Sequence, residues 1–459
     1  MNARIIGIAL RRTVALRAGA VSLILCLVAC AVIKGPWRED PRGWTTEWAG
    51  LSMAIRYLLT YLWPVALGAG AMQGLRATRS GTTSLLLTTP RPAWHRGAVD
   101  AVALSAVLLG AVLLPVTVGA ALLLTKGAYF HLAVVPMALV GLLALAAAAW
   151  LGVGTGRLMP SPIVPPLLAI GAFALGLPIW QSMGDAHEGG TPLLAAPVFL
   201  LAPQVIGTPD AWTILAGRVD LGQTIWFTGL AGAGLVLFAA RGWHRSWAAV
   251  PAAIGLLAAQ ALFPAQPAQM FATDAAAARL VCTGHVCVTR LHQERLAAIM
   301  APAEDALLRL KVLPNAPTRV EETTVVLTYY RARPRTAGAV PIWFDANPFY
   351  NASAQDVERG LLAGAGVPSC LNASTVEDPP GQRETAARTV AAAWFLNDLQ
   401  PLRGEGGGTV DALAASAWNT LRQLPPATQA ARVAAVRDAG LSCTGDLLNI
   451  LTTGEGAAR

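Results

Sequence analysis

Apolar runs of about twenty residues recur along the first 264 residues, and they constrain the fold more than any other feature of the sequence. A helix needs about 20 mostly apolar residues to cross a bilayer, because the hydrocarbon core is about 30 Å thick. The chain is therefore predicted to be an α-helical membrane protein. Seven spans are predicted, the last two short: 14–33, 51–72, 98–124, 132–156, 162–182, 224–240 and 247–264.

The charged residues divide the chain into two parts. Residues 1–264 hold 17 Lys/Arg and 8 Asp/Glu, whereas residues 265–459 hold 17 and 18. The basic excess lies between apolar runs, which favours membrane topology over nucleic-acid binding. We expect a transmembrane domain over 1–264, followed by a soluble, helix-rich α+β domain over 265–459.

One further apolar stretch, 192–206, is too short and too rich in proline for a complete span. Irregular backbone at membrane depth is tolerated only where protein covers it. The stretch is therefore predicted to be a re-entrant or interfacial segment.

The distribution of basic residues predicts the orientation. With the N-terminus in the cytoplasm, the inner segments contain ten Lys/Arg and no acid, and the outer segments contain five Lys/Arg mixed with acids. Cytoplasmic loops carry the excess of Lys and Arg. We expect a multi-pass protein of the cell membrane whose seven crossings leave residues 265–459 outside the cytoplasm.

The cysteines agree with this orientation. Cys282, Cys287, Cys370 and Cys443 all lie in the C-terminal part, and an even set in an oxidising compartment predicts disulfides. Cys282 and Cys287 flank a Thr-Gly turn, so a hairpin would bring them together across two strands. We predict the pairs Cys282–Cys287 and Cys370–Cys443. Cys282, Cys287 and two nearby histidines match no standard zinc spacing, and no metal site is predicted.

Weaker patterns predict the elements of the C-terminal domain. A hairpin is expected over 279–289 and a strand over 319–330. Helices are expected over 290–311, 353–364, 382–399, 409–424 and 426–439.

The segment between the second and third predicted spans, MQGLRATRSGTTSLLLTTPRPAWHR over 72–96, is basic and has no acid. It combines a Gly-Thr pair, a leucine run and a Pro-Arg-Pro turn. A short interfacial helix here could be bound by a cytosolic partner. The alternative is a basic loop that only fixes the orientation of the neighbouring spans in the membrane.

With this segment the chain resembles the type-2 family of ABC transporter permeases, in which the second span is followed by a Gly-Thr-x-x-Leu-Leu-x-Thr-x-Pro-Arg loop. Where that family often carries Glu, this sequence has Arg79 and Ser80, so the charge pairing with a partner would differ. The resemblance covers roughly 1–240. The matching residues are Gly74, Arg76, Arg79, Gly81, Thr82, Leu85, Leu86, Thr88, Pro90, Arg91, Trp94 and Arg96.

The resemblance implies six spans per subunit, a re-entrant segment before the last of them, and a coupling loop over 73–96 that docks on a cytosolic ATPase. It also implies a second permease subunit, identical or different. The chain has no Gly-x-x-x-x-Gly-Lys-Ser/Thr motif, so ATP would be hydrolysed by a separate chain. We expect a transport subunit without a cofactor or catalytic residues of its own.

The alternative hypothesis is a membrane-anchored sensor, binding module or enzyme whose active part is the C-terminal domain. The lack of a His-Glu-x-x-His or Gly-x-Ser-x-Gly motif argues against an enzyme of those classes.

Overall fold

The computed structural model describes residues 14–33, 45–79, 93–188, 190–208, 210–325, 334–345, 348–371 and 378–455. They form two compact units. The first comprises Met1–Thr208 and Thr213–Ala272, and the second comprises Pro209–Trp212 and Thr273–Arg459. We call these the membrane unit and the C-terminal unit.

The membrane unit contains six helices that are long and apolar enough to cross a bilayer, among the residues the structure describes. This supports a helical, multi-pass membrane protein. The six helices are α1 (Ala15–Val28, extended by a π-turn at Ala29–Ile33), α2 (Trp48–Arg79), α3 (Ala93–Thr125), α4 (Val134–Leu158), α5 (Val164–Glu188) and α7 (Gly217–Ala239). A short helix, α6 (Ala196–Phe199), and a strand, β1 (Thr213–Leu215), lie between α5 and α7.

The seventh predicted span, 247–264, corresponds to a shorter helix than the other six. A Trp-rich 3-10 turn (Gly242–Ala248) leads directly into helix α8 (Ala249–Leu262), which has 14 residues and rises about 21 Å. Helix α8 runs back along α7, since Gly255 packs on Gly229 and Ala259 lies beside Gly222.

The end of the membrane unit lies next to the start of α7. Strand β2 (Phe271–Thr273) pairs with β1, and the backbone N–H of Ala216 donates to the carbonyl of Met270 at 2.9 Å. The α7–α8 pair is therefore a hairpin, and it returns the chain to the end of the unit from which α7 began.

Helix α4 is the centre of the membrane unit, and glycines bring its neighbours into backbone contact. Gly70 and Gly74 on α2 face Gly152 and Gly156 on α4, and a Cβ atom on any of the four would overlap a carbonyl oxygen of the other helix. Such small-residue faces drive helix association in lipid, where apolar side chains gain nothing by leaving the tails. A similar contact joins Gly154 to Gly234 of α7.

The C-terminal unit is built on a four-stranded sheet with the order β3-β4-β5-β6. The predicted hairpin is confirmed as antiparallel β3 (Leu280–Thr283) and β4 (Val286–Thr289), while β5 (Arg319–Glu322) and β6 (Ala339–Ile342) add in parallel. The predicted strand 319–330 ends at Glu322, and residues 326–333 lie outside the described residues. The sequence analysis missed β6, an edge strand that tolerates Pro341.

Helices cover this sheet and form one apolar core. Five of them follow the predicted positions closely, except that residues 290–295 form a 3-10 turn before the first, and the sixth, the short last helix, was not predicted. These helices are α9 (Leu296–Leu310), α10 (Ala354–Leu362), α11 (Pro379–Leu396), α12 (Gly408–Arg422), α13 (Pro426–Ser442) and α14 (Leu447–Thr452).

Both predicted disulfides are present. Cys282 and Cys287 face each other across the β3–β4 hairpin, whose turn contains Gly284 at φ 57°. Cys370 and Cys443 join the segment after α10 to the end of α13, across 73 residues of sequence. The chain-entropy estimate for closing a loop of that length is about 4 kcal/mol.

A buried arginine holds the C-terminal unit together at a strained turn. Arg437 donates to the carbonyls of Asn315, Ala365 and Ala337 at 2.7–2.8 Å. Ala365 has a φ of 56°, a conformation that costs a non-glycine residue free energy. Burial lowers the pKa of Arg437, while Asp438 acts in the opposite direction, and the three carbonyls replace the water that its guanidinium loses.

The glycine contacts make a testable prediction. Replacing Gly156 by Ala should destabilise the membrane unit by about 1–3 kcal/mol, because the new methyl group forces α2 away from α4. Thermal unfolding of the purified chain in detergent measures this. The matched control is Gly171→Ala on α5, where a Cβ atom meets nothing within 4 Å. Equal stability of the two variants would contradict the proposed packing.

Candidate functional site

The predicted coupling segment is shorter than the sequence suggested. Helix α2 continues to Arg79 and α3 begins at Ala93, so the predicted loop 73–96 loses its first seven and last four residues to these helices. The positions Gly81, Thr82, Leu85, Leu86, Thr88, Pro90 and Arg91 lie outside the described residues.

The remaining predicted coupling residues lie at the ends of the two helices. Gly74 is buried against the carbonyl of Val153, so it packs helices together and is not open to a partner, which corrects its predicted role. Arg76 and Arg79 are exposed on the last turns of α2. Trp94 is 52% exposed, and it lies with Arg96 on the first turn of α3.

Helices α2 and α3 are much longer than a bilayer requires. They contain 32 and 33 residues, and about 20 would span the hydrocarbon. The surplus turns allow one end of each helix to extend beyond the apolar layer. The basic residues at the end of α2 and the tryptophan at the start of α3 lie on these surplus turns.

The second candidate site is the segment 190–208, between the fifth and sixth spanning helices. Only Ala196–Phe199 is helical, yet Phe199, Leu200 and Val205 are buried in an apolar cluster with residues of α2, α4, α5, α7 and α8. This agrees with the predicted re-entrant or interfacial segment over 192–206.

Side chains from three helices satisfy the irregular backbone of this segment. Gln223 on α7 donates to the carbonyls of Leu200 and Ala202, and Trp226 donates to that of Leu201. Gln260 on α8 donates to Pro197. These bonds, 2.8–3.1 Å long, supply the donors that water cannot provide in a bilayer.

Arg56 of α2 completes this arrangement and is itself fully buried. Its Nε donates to the carbonyl of Pro203 at 2.7 Å, its Nη2 to Oε1 of Gln223 at 2.5 Å, and its Nη1 to the carbonyl of Met137 at 3.4 Å. Oδ1 of Asp220 on α7 lies 4.0 Å from Nη1 and supplies the balancing charge. One guanidinium thus connects α2, α4, α7 and the re-entrant segment.

From the sequence alone, Arg56 near the outer end of its span is expected to extend to the interface, as such arginines ordinarily do, and this expectation is wrong. Instead, Gly141 on α4 leaves the space that its side chain occupies, since a Cβ there would lie 2.8 Å from Cδ of Arg56. The sequence did contain a signal for the buried position of Arg56. An ionisable residue inside a membrane span suggests a functional position or one that is paired with another group.

The C-terminal unit contains a buried polar cluster around His292. Its Nδ1 lies 2.6 Å from Oε1 of the fully buried Glu322, and its Nε2 lies 3.7 Å from Asp345. The other carboxylate oxygen of Glu322 accepts from the backbone N–H of Thr289 at 2.6 Å. His292 is 2% exposed.

The two cysteines near His285 and His292 in sequence are not available to a metal. Cys282 and Cys287 are joined in a disulfide, so neither has the thiolate that binds zinc. His292 packs on Glu322 instead, a partner that sequence spacing did not suggest.

Comparison with known proteins adds no family. No protein-family model, curated protein or solved structure matches the chain. The functional argument therefore depends on the residues and their geometry.

The Arg56 network makes a sharp prediction. Arg56→Met should destabilise the membrane unit by roughly 3 kcal/mol, because it leaves Asp220 buried without its counter-charge and removes three donors. Arg17→Met, at an exposed position on α1, is the matched control and should change stability little. Thermal unfolding in detergent compares them, and Asp220→Asn added to Arg56→Met should recover part of the loss. Additive effects would show that the pair is not coupled.

Proposed function

We propose that this chain is the membrane-spanning subunit of an ATP-driven, ABC-type transporter that couples to a separate cytosolic ATPase through residues 80–92 and the helix ends beside them. A second permease subunit, identical or different, would complete the pathway across the membrane. The proposal keeps the coupling role for Arg76, Arg79, Gly81, Thr82, Leu85, Leu86, Pro90, Arg91, Trp94 and Arg96.

The order of the elements carries the proposal. Six helices can span a membrane, a basic segment joins the second to the third, and an irregular segment is buried between the fifth and the sixth. This is the order that the resemblance to type-2 permeases implies. This order of elements involves residues that are far apart in sequence, whereas the loop motif is a short local pattern.

Helix α2 supplies a mechanical connection between the two candidate sites. One continuous helix carries Arg56 near its start and Arg79 at its end, about 35 Å apart at 1.5 Å per residue. Its glycine face is fixed on α4, so a push on the coupling segment would move α2 and α4 together. Arg56 would pass that movement to the carbonyl of Pro203 and hence to the re-entrant segment.

ATP binding by the partner would supply the energy for this movement. A ligand changes a conformational equilibrium only as far as it prefers one of the two states. The two ATPases would close on ATP and so favour one arrangement of the coupling segments. The transport pathway would then be open to one side of the membrane. Pro64 lies inside α2 and gives the continuous helix a point at which it can bend.

The proposed orientation places the N-terminus in the cytoplasm and the C-terminal unit outside the cytoplasm. The basic residues of the inner segments support it, and so does the α7–α8 hairpin, which returns the chain to the end of the membrane unit where α7 begins. The two disulfides of the C-terminal unit fit an oxidising compartment.

The alternative, a membrane-anchored sensor, binding module or enzyme, gains little from the geometry. The polar cluster of the C-terminal unit around His292 is closed to solvent. A general base must come within hydrogen-bonding distance of a substrate, and this histidine is 2% exposed.

The coupling role can be tested by charge placement. Replacing Leu85 and Leu86 by Asp should abolish co-purification of an ATPase with the full chain from its native membranes, because the apolar contact would be lost. Thr83→Asp with Ser84→Asp adds the same two charges, keeps both leucines, and should retain the ATPase. ATP hydrolysis in the purified material is the measurement. Failure of the unaltered chain to bring down any ATPase would refute the proposal.

The orientation can be tested separately. A reporter that is active only in the cytosol, fused after Arg459, should be silent, whereas the same reporter fused before Met1 should be active. Activity at the C-terminal fusion would overturn the orientation and remove the compartment argument for the disulfides.

A further inference from the structure

A groove on the membrane unit lies between the first halves of α4 and α7. It encloses about 590 Å³, within the range of small-molecule sites. Leu139 and Leu221 stand at its edge and are 58% and 53% exposed, so it opens on the apolar surface of the unit. Its walls are Ala133, Pro136, Leu139, Val140, Leu143, Ile214, Leu215, Gly217, Asp220, Leu221 and Thr224.

One wall residue has a buried carboxylate oxygen without a hydrogen-bond donor among the described residues. Asp220 is 7% exposed, and its Oδ1 accepts no hydrogen bond there. The nearest cation, Nη1 of Arg56, is 4.0 Å away. A buried acceptor without a donor costs free energy, and the cost is greatest where the surroundings are apolar.

Arg56 cannot move closer without giving up its other partners. Its Nε and Nη2 are engaged by Pro203 and Gln223, which hold the guanidinium at its present distance. Its positive charge nevertheless balances that of Asp220, so the pair is neutral as a whole. A cationic ligand would leave one net charge in an apolar site, whereas a neutral donor would add none.

We propose that this groove binds a neutral amphiphile that enters from the bilayer, places its apolar chain between α4 and α7, and donates a hydroxyl or amide hydrogen to Asp220. The apolar walls select the chain and the carboxylate selects the donor. This inference deepens the proposed function, because it names the class of molecule that the transporter would carry. Binding itself requires no ATPase, so the two proposals can fail independently.

The test uses the full chain in lipid nanodiscs and a photoreactive dodecanol that carries a diazirine on its chain. Cross-linked peptides are mapped by mass spectrometry, with dodecanol, dodecyl methyl ether and dodecylammonium as competitors. We expect cross-links on residues 133–143 and 214–224. Dodecanol should compete about tenfold better than the ether, which has the same chain but no donor.

Two variants and one control localise the effect. Leu139→Trp should fill the groove and reduce cross-linking there at least fivefold, an order-of-magnitude expectation from its added volume. Leu175→Trp, at an exposed leucine on α5 outside the groove, should leave cross-linking unchanged. Asp220→Asn should narrow the difference between dodecanol and its ether, because a neutral amide accepts a weaker hydrogen bond.

Several results would overturn the inference. Equal competition by the alcohol and the ether would mean that the groove holds lipid chains without regard to the headgroup. Stronger competition by dodecylammonium would replace the neutral ligand with a cation. Cross-linking that survives Leu139→Trp would place the ligand elsewhere, and this variant keeps the test decisive even if Asp220→Asn does not fold.

Discussion

The structure of the membrane unit depends on the hydrogen bonds that satisfy the backbone of the irregular segment 190–208. Each backbone carbonyl there needs a donor, and a bilayer offers none. Four side chains supply these donors to the carbonyls of residues 197 and 200–203: Arg56, Gln223, Trp226 and Gln260. They come from α2, α7 and α8, so the arrangement of those helices follows from the need to cover one broken stretch of chain.

This requirement explains why an arginine is retained inside the membrane unit. A buried guanidinium is costly unless its hydrogens are all engaged, and Arg56 is surrounded by a carbonyl from the re-entrant segment, a carbonyl from α4 and an amide from α7. A lysine would carry the same charge but not the planar fork that reaches several acceptors at once. The glycine contacts of α2 and α4 complement it, since they fix the helix from which the arginine extends.

The sequence predicted what depends on local pattern. Apolar runs located the six helices that are long enough to span a membrane, and proline together with short length distinguished the irregular stretch 192–206 from them. The hairpin around Gly284 and both cysteine pairings followed from turn chemistry and spacing. The predicted span 247–264 exceeds helix α8 by two residues at each end, because a 3-10 turn occupies Gly242–Ala248 and the helix ends at Leu262.

The remainder depends on pairings across long stretches of chain. Arg56 contacts Pro203 and Gln223, which are 147 and 167 residues away in sequence. No periodic pattern in the sequence predicts such a contact. The glycines of α2 and α4 had a sequence signal, the small-x-x-x-small pattern, but nothing in it specified which two helices would meet. Strand β6 was missed because Pro341 reads as a strand breaker until its place at a sheet edge is known.

The groove and the re-entrant segment share one charge pair, and this gives the transporter hypothesis a physical mechanism. A donor that reaches Asp220 weakens the attraction between its carboxylate and Arg56, because the carboxylate then shares its charge with the ligand. Arg56 also binds Pro203, so occupancy of the groove would alter how firmly α2 holds the re-entrant segment. Coupling between two sites is reciprocal. A movement of α2 imposed at its other end would therefore change the affinity of the groove for its ligand by the same free energy. Ligand and ATPase would thus act on a single helix from opposite ends, and Arg56 is the residue through which each would affect the other.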